Sequence, residues 1–230
     1  MANLGHVISD QSVGNILRRH GIPPAPERKK NTTGKDFLRA HMSALAGTDF
    51  FTVEVVTWHG LVTYYVLFFL HLDSRRVSIA GITDHPETGW MEQMARNATL
   101  EGWGFLQSRH YLLHDRDTKF SESFRDTLAA GGVKALKLPA RSPNLNAFAE
   151  RWVRSVKEEC LARLVLFGEA SLRRALGEYV EHFHAERNHQ GKENLLLFPI
   201  AARASGNGSG RVRCRERLGG LLKYYHRQAA

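Results

Sequence analysis

The chain has 230 residues, with 32 Lys and Arg against 23 Asp and Glu, a formal net charge of +9 and a sequence pI near 9.8. That length can bury a sizeable core in roughly one or two domains, and the basic balance favours a polyanionic partner through counterion release and long-range attraction. Two cysteines, Cys160 and Cys214, exclude a disulfide framework, and the longest apolar stretch, Tyr64 to Leu70, is too short to span a bilayer. His6, Ser9 and Asp10 interrupt the start, so no signal peptide is read there and a soluble, cytoplasmic protein is expected.

In chain order, Ser9 is placed to cap a helix over SDQSVGNILRRHGI, in which Val13, Ile16 and Leu17 form one apolar stripe and Gly21 supplies the stop. IPPAPERKKNTTG then reads as an extended linker, with a domain boundary near Gly34. A short helix from Phe37 to Leu45 is predicted before three β-rich runs, GTDFFTVEVVT, GLVTYYVLFFLHL and RRVSIAGIT, separated by the turn-like WHG and DS. Residues 86–102 are predicted as a helix, HYLLHD as a short buried strand, SESFRDTLAAGG as a helix with a glycine stop, and VKALKLP as a further strand. A long helix from about Leu145 to Leu164 and a second after Gly168 follow. From Arg203 on, the tail carries seven Arg or Lys against one Glu. The order βββαβαβα implies an α/β fold, a mixed sheet with helices packed against it.

Three acidic residues stand out. Asp49 lies inside a strand otherwise built of Thr, Phe and Val, where a carboxylate needs a partner or a metal. Asp115 ends an apolar strand, where ligands bind in open α/β sheets, and Asp117 is its decoy, nearer to a turn or cap. Glu150 shares a helix face with Asn146, Arg154 and Lys157, while Leu145, Phe148, Trp152 and Val156 gather on the other, so Trp152 is read as core. Each acid alone has an ordinary reading as a surface ion pair or a turn residue. Together, a β, β, α carboxylate trio can hold divalent ions. His182, His184 and His189 with Cys160 match no structural zinc spacing.

TDFF around Asp49, LDSRR at 72–76, HDRDTKF around Asp115, SPNLNAFAERWVRSVKEE around Glu150 and HAERNHQG at 184–191 together resemble the Asp-Asp-Glu transposases and integrases, closest in look to bacterial insertion-sequence transposases. The resemblance covers residues 36–200 and implies a ribonuclease H-like core with a mixed five-stranded sheet. It implies that Asp49, Asp115 and Glu150 hold two Mg²⁺ or Mn²⁺ ions for phosphodiester chemistry: water frees a 3′-OH at a transposon end, and that 3′-OH attacks target DNA. Hard oxygen ligands suit Mg²⁺ over Zn²⁺. Arg154 and Lys157 are expected to contact phosphates, with Arg151 and Lys119 as weaker candidates, and Arg187 and His189 either bind DNA or tie the final helix to the core.

The domain reading is a truncated helix-turn-helix remnant and linker at 1–34, the catalytic core at 35–202 and a basic tail at 203–230. Only eight residues precede Ser9, and Gly34 stands where relatives often carry tryptophan, which puts autonomous recognition of terminal repeats in question. A nucleoid-associated enzyme, at least a dimer when assembled on DNA, follows from the resemblance. The competing readings are a ribonuclease H-like nuclease that cannot join ends and a non-catalytic DNA-binding transposon remnant.

Overall fold

The computed structural model describes residues 9–22, 40–139, 146–199 and 211–227. The linker, Gly34, the first residues of the helix predicted from Phe37, and SGNGSG lie outside them. The chain divides into two units, Met1–Met42 and Ser43–Ala230. In the first, α1 (Asp10–Arg19) is capped by Ser9, whose Oγ accepts the Ser12 N–H at 3.2 Å. It stops at Gly21, whose φ of 65° lets the Gly21 and Ile22 N–H groups close onto the Arg18 and Leu17 carbonyls. Val13 and Ile16 of the predicted stripe are exposed.

The second unit is built on a mixed five-stranded sheet of order β3-β2-β1-β4-β5. β1 (Leu45–Thr57), β2 (Gly60–His71) and β3 (Val77–Thr83) form the expected antiparallel meander, and β4 (Tyr111–His114) and β5 (Lys134–Lys137) join it in parallel beside β1. This is the mixed five-stranded α/β sheet with flanking helices that the sequence reading expected. β1 starts at Leu45, two residues before the predicted run, because Leu45 and Ala46 are fully buried and pair with Tyr111 and Leu112 of β4.

Alternation along β1 sends its side chains to two separate cores. On one face Ala46, Leu67 and Phe69 pack with Met91, Ala95 and Ala98 of α2 (Thr88–Ala98) and with Phe124 and Leu128 of α3 (Glu122–Ala130). On the other, Phe51 and Phe68 pack against Trp152 of α4 (Ala147–Glu159), with ring centroids 5.8 and 4.4 Å apart. Trp152 is core, as its helix face predicted, with 1% exposure. α5 (Gly168–Ala185) buries Leu172, Ala175, Leu176, Tyr179 and Phe183, a stripe at helical spacing. No helix among the described residues is long and apolar enough to cross a membrane.

Several elements differ from the sequence reading: the helix predicted over 86–102 is shorter, Thr88–Ala98, and the one predicted up to Leu45 gives way to a 3₁₀ turn, Met42–Ala44, and to β1. α4 ends at Glu159 rather than near Leu164, since Cys160 leaves helical geometry (φ −127°, ψ −70°) and a 3₁₀ turn, Leu161–Arg163, tucks Leu161 inward. The basic tail contains a hairpin, β6 (Val212–Arg217) paired with β7 (Leu222–Arg227). Arg217, with its side chain only 7% exposed, fastens this hairpin to α5: its guanidinium reaches Glu178 at 2.6 Å, Glu181 at 2.7 Å and the buried Glu186 at 2.8 and 3.0 Å. Glu186 also accepts from His182 Nδ1 at 3.2 Å. Removing one partner from such a network leaves charge buried without compensation. Arg217→Ala is therefore expected to lower unfolding free energy by about 3 kcal/mol in urea denaturation, and a loss below about 0.5 kcal/mol would show that the hairpin is not fastened this way.

Candidate active site

The sheet register and one helix start bring the three predicted acids into a common field. Gly47 of β1 sits beside Leu113 of β4 in the parallel pair. Two residues further along the chain from that pair come Asp49, inside β1, and Asp115, the first residue after β4, and the Asp115 charge acts on the Asp49 carboxyl. Asp49 is on the α4 side of the sheet, because it lies opposite Phe68 in the β1–β2 ladder and Phe68 carries Trp152.

α4 is set against β1 by Asn146, the residue before its first turn. Asn146 is buried and its Nδ2 donates to the Thr48 carbonyl at 3.5 Å. A Cβ on residue 47 would stand 2.9 Å from Asn146 Oδ1, so glycine there is what allows the close approach. Glu150 follows one turn later, its N–H on the Asn146 carbonyl at 3.1 Å. Placing Asn146 on the outward face with Glu150 was a misreading: an N-terminal helix residue can face the sheet while the next turn faces out.

The electrostatics record the crowding. Burial pushes the Asp49 carboxyl up to about 6; the Phe50 N–H, 2.7 Å from Oδ1, pulls the other way, and the charges of Asp115, Glu150 and Asp117 push it up again. Asp115 Oδ1 accepts the Asp117 N–H at 3.0 Å. Partial burial would push Asp117 up too, but the Lys119 N–H and ammonium, each 2.9 Å from it, outweigh that and hold it below the usual carboxylate range. Among the described residues no side-chain cation of the chain pairs with Asp49, Asp115 or Glu150, whereas Asp117 already has its own.

His114 is a neighbour that the sequence reading missed. It is buried next to Asp115, its Nδ1 is 2.7 Å from the Asp115 carbonyl, and burial pushes the ring below its ordinary pKa. Its position at the end of a four-residue strand was the one available signal.

The predicted DNA contacts fall into two groups. Arg154 and Lys157 are exposed on the Glu150 side of α4, with Lys157 Nζ 5.9 Å from the Phe51 ring centroid. Arg151 is exposed on the next face. Lys119 is held by Asp117 and lies 5.6 and 5.4 Å from the Phe50 and Tyr65 rings. Arg187 grips both carboxylate oxygens of Glu159, which also accepts from the Tyr179 hydroxyl. His189 is buried with Nε2 2.7 Å from the Phe183 carbonyl. Among the described residues neither Arg187 nor His189 bonds to the acidic trio.

No protein-family model matches this sequence, and no curated protein matches it. Among solved structures the chain is similar to the catalytic core domain of BIV integrase, at 15% identity and TM-score 0.44, covering 65% of this chain and 88% of that one. It is also similar to the catalytic domain of Mos1 mariner transposase, at 16% identity and TM-score 0.46, over 76% of this chain and 84% of that one. A third is the HTLV-2 integrase catalytic core domain in complex with magnesium, at 13% identity and TM-score 0.42, over 62% and 86%.

Among the described residues no three His, Cys, Asp or Glu side chains already stand in a ligating array. The donor chemistry of the trio nevertheless fits a hard divalent ion: all oxygen, mutually repelling and with no cation of the chain paired to it. Because the folded Asp49 carboxyl titrates above its ordinary value of 3.8, the fold binds its proton more tightly than the unfolded chain does. Wild-type stability should therefore fall as pH rises from about 4 through about 6. Asp49→Asn should escape that loss. Melting temperatures of the two proteins should separate across this window in favour of the variant, and a constant gap from acid to neutral pH would show that Asp49 is not electrostatically crowded.

Proposed function

We propose that this chain is a metal-dependent DNA transposase of the bacterial insertion-sequence type, cutting transposon ends to free a 3′-OH and joining that end to target DNA. The observation that supports this most is the electrostatic influence of Asp115 and Glu150 on the partly buried Asp49, carboxylates that come from β1, from the residue after β4 and from α4 of a basic chain.

In this reading Asp49, Asp115 and Glu150 are the catalytic, metal-holding residues. Two Mg²⁺ or Mn²⁺ ions, when bound, supply the Lewis acidity that activates the attacking hydroxyl and stabilises the leaving oxygen. The chain's own contribution is position and charge. Asp49 is fixed by the Phe50 N–H, Asp115 by the turn through the Asp117 N–H, and Glu150 by the Asn146 join to β1. With a folded pKa near 6, Asp49 is largely ionised at neutral pH and available as a ligand. Arg154 and Lys157, one and two turns beyond Glu150, are oriented to hold a phosphate backbone across the acids. Arg151 and Lys119 add weaker attraction, and Arg187 and His189 tie the end of α5 to the core, through Glu159 and the Phe183 carbonyl. Residues 35–202 serve as the catalytic core, 1–34 as an accessory helix and linker, and 203–230 as a basic segment. Paired transposon ends call for a homo-oligomer on DNA, and its place is with the nucleoid.

The test is strand transfer with pre-cut transposon ends and Mg²⁺. Asp49→Asn, Asp115→Asn and Glu150→Gln are each expected to reduce product at least about 10²-fold while leaving metal-free DNA binding within about threefold, since each removes a metal ligand but no phosphate contact. Full activity in all three variants would overturn the site. Cleavage without joining by the wild-type chain would leave a nuclease instead.

A further inference from the structure

A second site lies on a different face of α4. Phe148, Arg151 and Ser155 project from α4 away from Glu150, Arg154 and Lys157, and with Trp152 they line a cavity of about 380 Å³ closed by the β2–β3 turn and the segment after α5. Its wall includes Arg75, Arg151, Arg187, Asn188, Gln190 and Lys192 and, among the described residues, no Asp or Glu.

Arg75 is the unusual member. It sits in the β2–β3 turn with its guanidinium over the Phe148 ring, 3.1 Å to the centroid. It is half-buried, its Nη1 is enclosed without a hydrogen-bond partner, and among the described residues the guanidinium makes no ion pair. Burial and then the nearby Arg151 charge push it down to about 10, with the Asp73 carboxylate pulling the other way. The Trp152 indole N–H on the same wall is also buried without a partner. Arg187 is neutralised by Glu159, whereas Arg75, Arg151 and Lys192 make no ion pair among the described residues, although Asp73 is near enough to act on the Arg75 charge.

An enclosure with cations and N–H donors on three different segments, and no acid among the described residues of its wall, is built for an anion that accepts from several directions. A single carboxylate presents two oxygens in one plane and one negative charge. A tetrahedral phosphate presents oxygens to all three segments. We propose that this cavity binds a phosphate group, with Arg75 as its principal contact and Arg151 and Lys192 supplying the remaining charge. The phosphate is either a free ion or part of a DNA backbone; only the second source rests on the DNA reading above.

The experiment uses the full chain with ¹⁵N-labelled tryptophan indoles, without divalent metal, titrated with sodium phosphate and separately with a short DNA duplex. Phosphate is expected to shift the Trp152 indole resonance saturably while Trp58 and Trp90 stay in place. Arg75→Gln should weaken that response about tenfold or more, because it removes a charge-assisted fork, and Arg75→Lys should fall between the two. If DNA is the source, the duplex moves the same resonance and added phosphate reverses the shift; if the free ion is, the duplex leaves Trp152 unmoved. Should Arg75→Gln lose the native Trp90 signal, Arg151→Gln on the exposed helix surface carries the same expectation. A Trp152 resonance indifferent to both titrants, or equal phosphate affinity in the variant, would overturn the proposal. An inert cavity would leave the carboxylate reading standing, and inactive carboxylates would leave phosphate binding unchanged.

Discussion

Like-charge crowding at the middle of β1 is the constraint that the surrounding structure has to withstand. Asp49 is pushed up by burial first and then by the charges of Asp115, Glu150 and Asp117, so holding it ionised costs free energy. Apolar packing next to it offsets that cost. Phe51, Phe68, Trp152 and Val156 are all buried on the same side of the sheet, and each large apolar side chain contributes about 1.5–3 kcal/mol on burial. The acids therefore stay together because the helix bearing Glu150 is anchored by its aromatic face, not because the acids attract anything in the chain. Asn146 refines the anchoring by bonding to the strand that holds Asp49, and Gly47 leaves the room for it.

The chain's positive charge is distributed unevenly over this frame. Some cations are committed to structure: Arg187 to Glu159, Arg217 to three glutamates, Lys119 to Asp117. Others face outward or into the cavity beside Arg75 without acidic partners among the described residues, including Arg151, Arg154 and Lys157 on successive faces of α4. One helix thus carries Glu150 towards the acids, Trp152 into the core and Arg151 into a basic pocket, which is possible because steps of 100° separate neighbouring residues.

Local pattern was enough to read the meander, since β-branched and aromatic runs broken by WHG and DS have few alternatives, and to assign Trp152 to the core by its helix face. Asp117, read as a turn or cap residue, pairs with Lys119. What escaped is long-range. Nothing near Asn146 in sequence announces a contact with Thr48, 98 residues away. The hairpin at the end was hidden because its alternation is of arginine with other residues, and its buried member, Arg217, is held by charge supplied from α5. Arg187 and His189 carry family-like spacing whose packing with Glu159 and Phe183 depends on where α5 ends.

The central claim is that Asp49, Asp115 and Glu150 form one divalent-metal centre. Anomalous diffraction from a crystal soaked with Mn²⁺ well above the Asp49 pKa tests it most directly. The account predicts manganese peaks bounded by these three carboxylates and their loss in Asp49→Asn. Absence of any peak there, with manganese bound elsewhere or not at all, would contradict it.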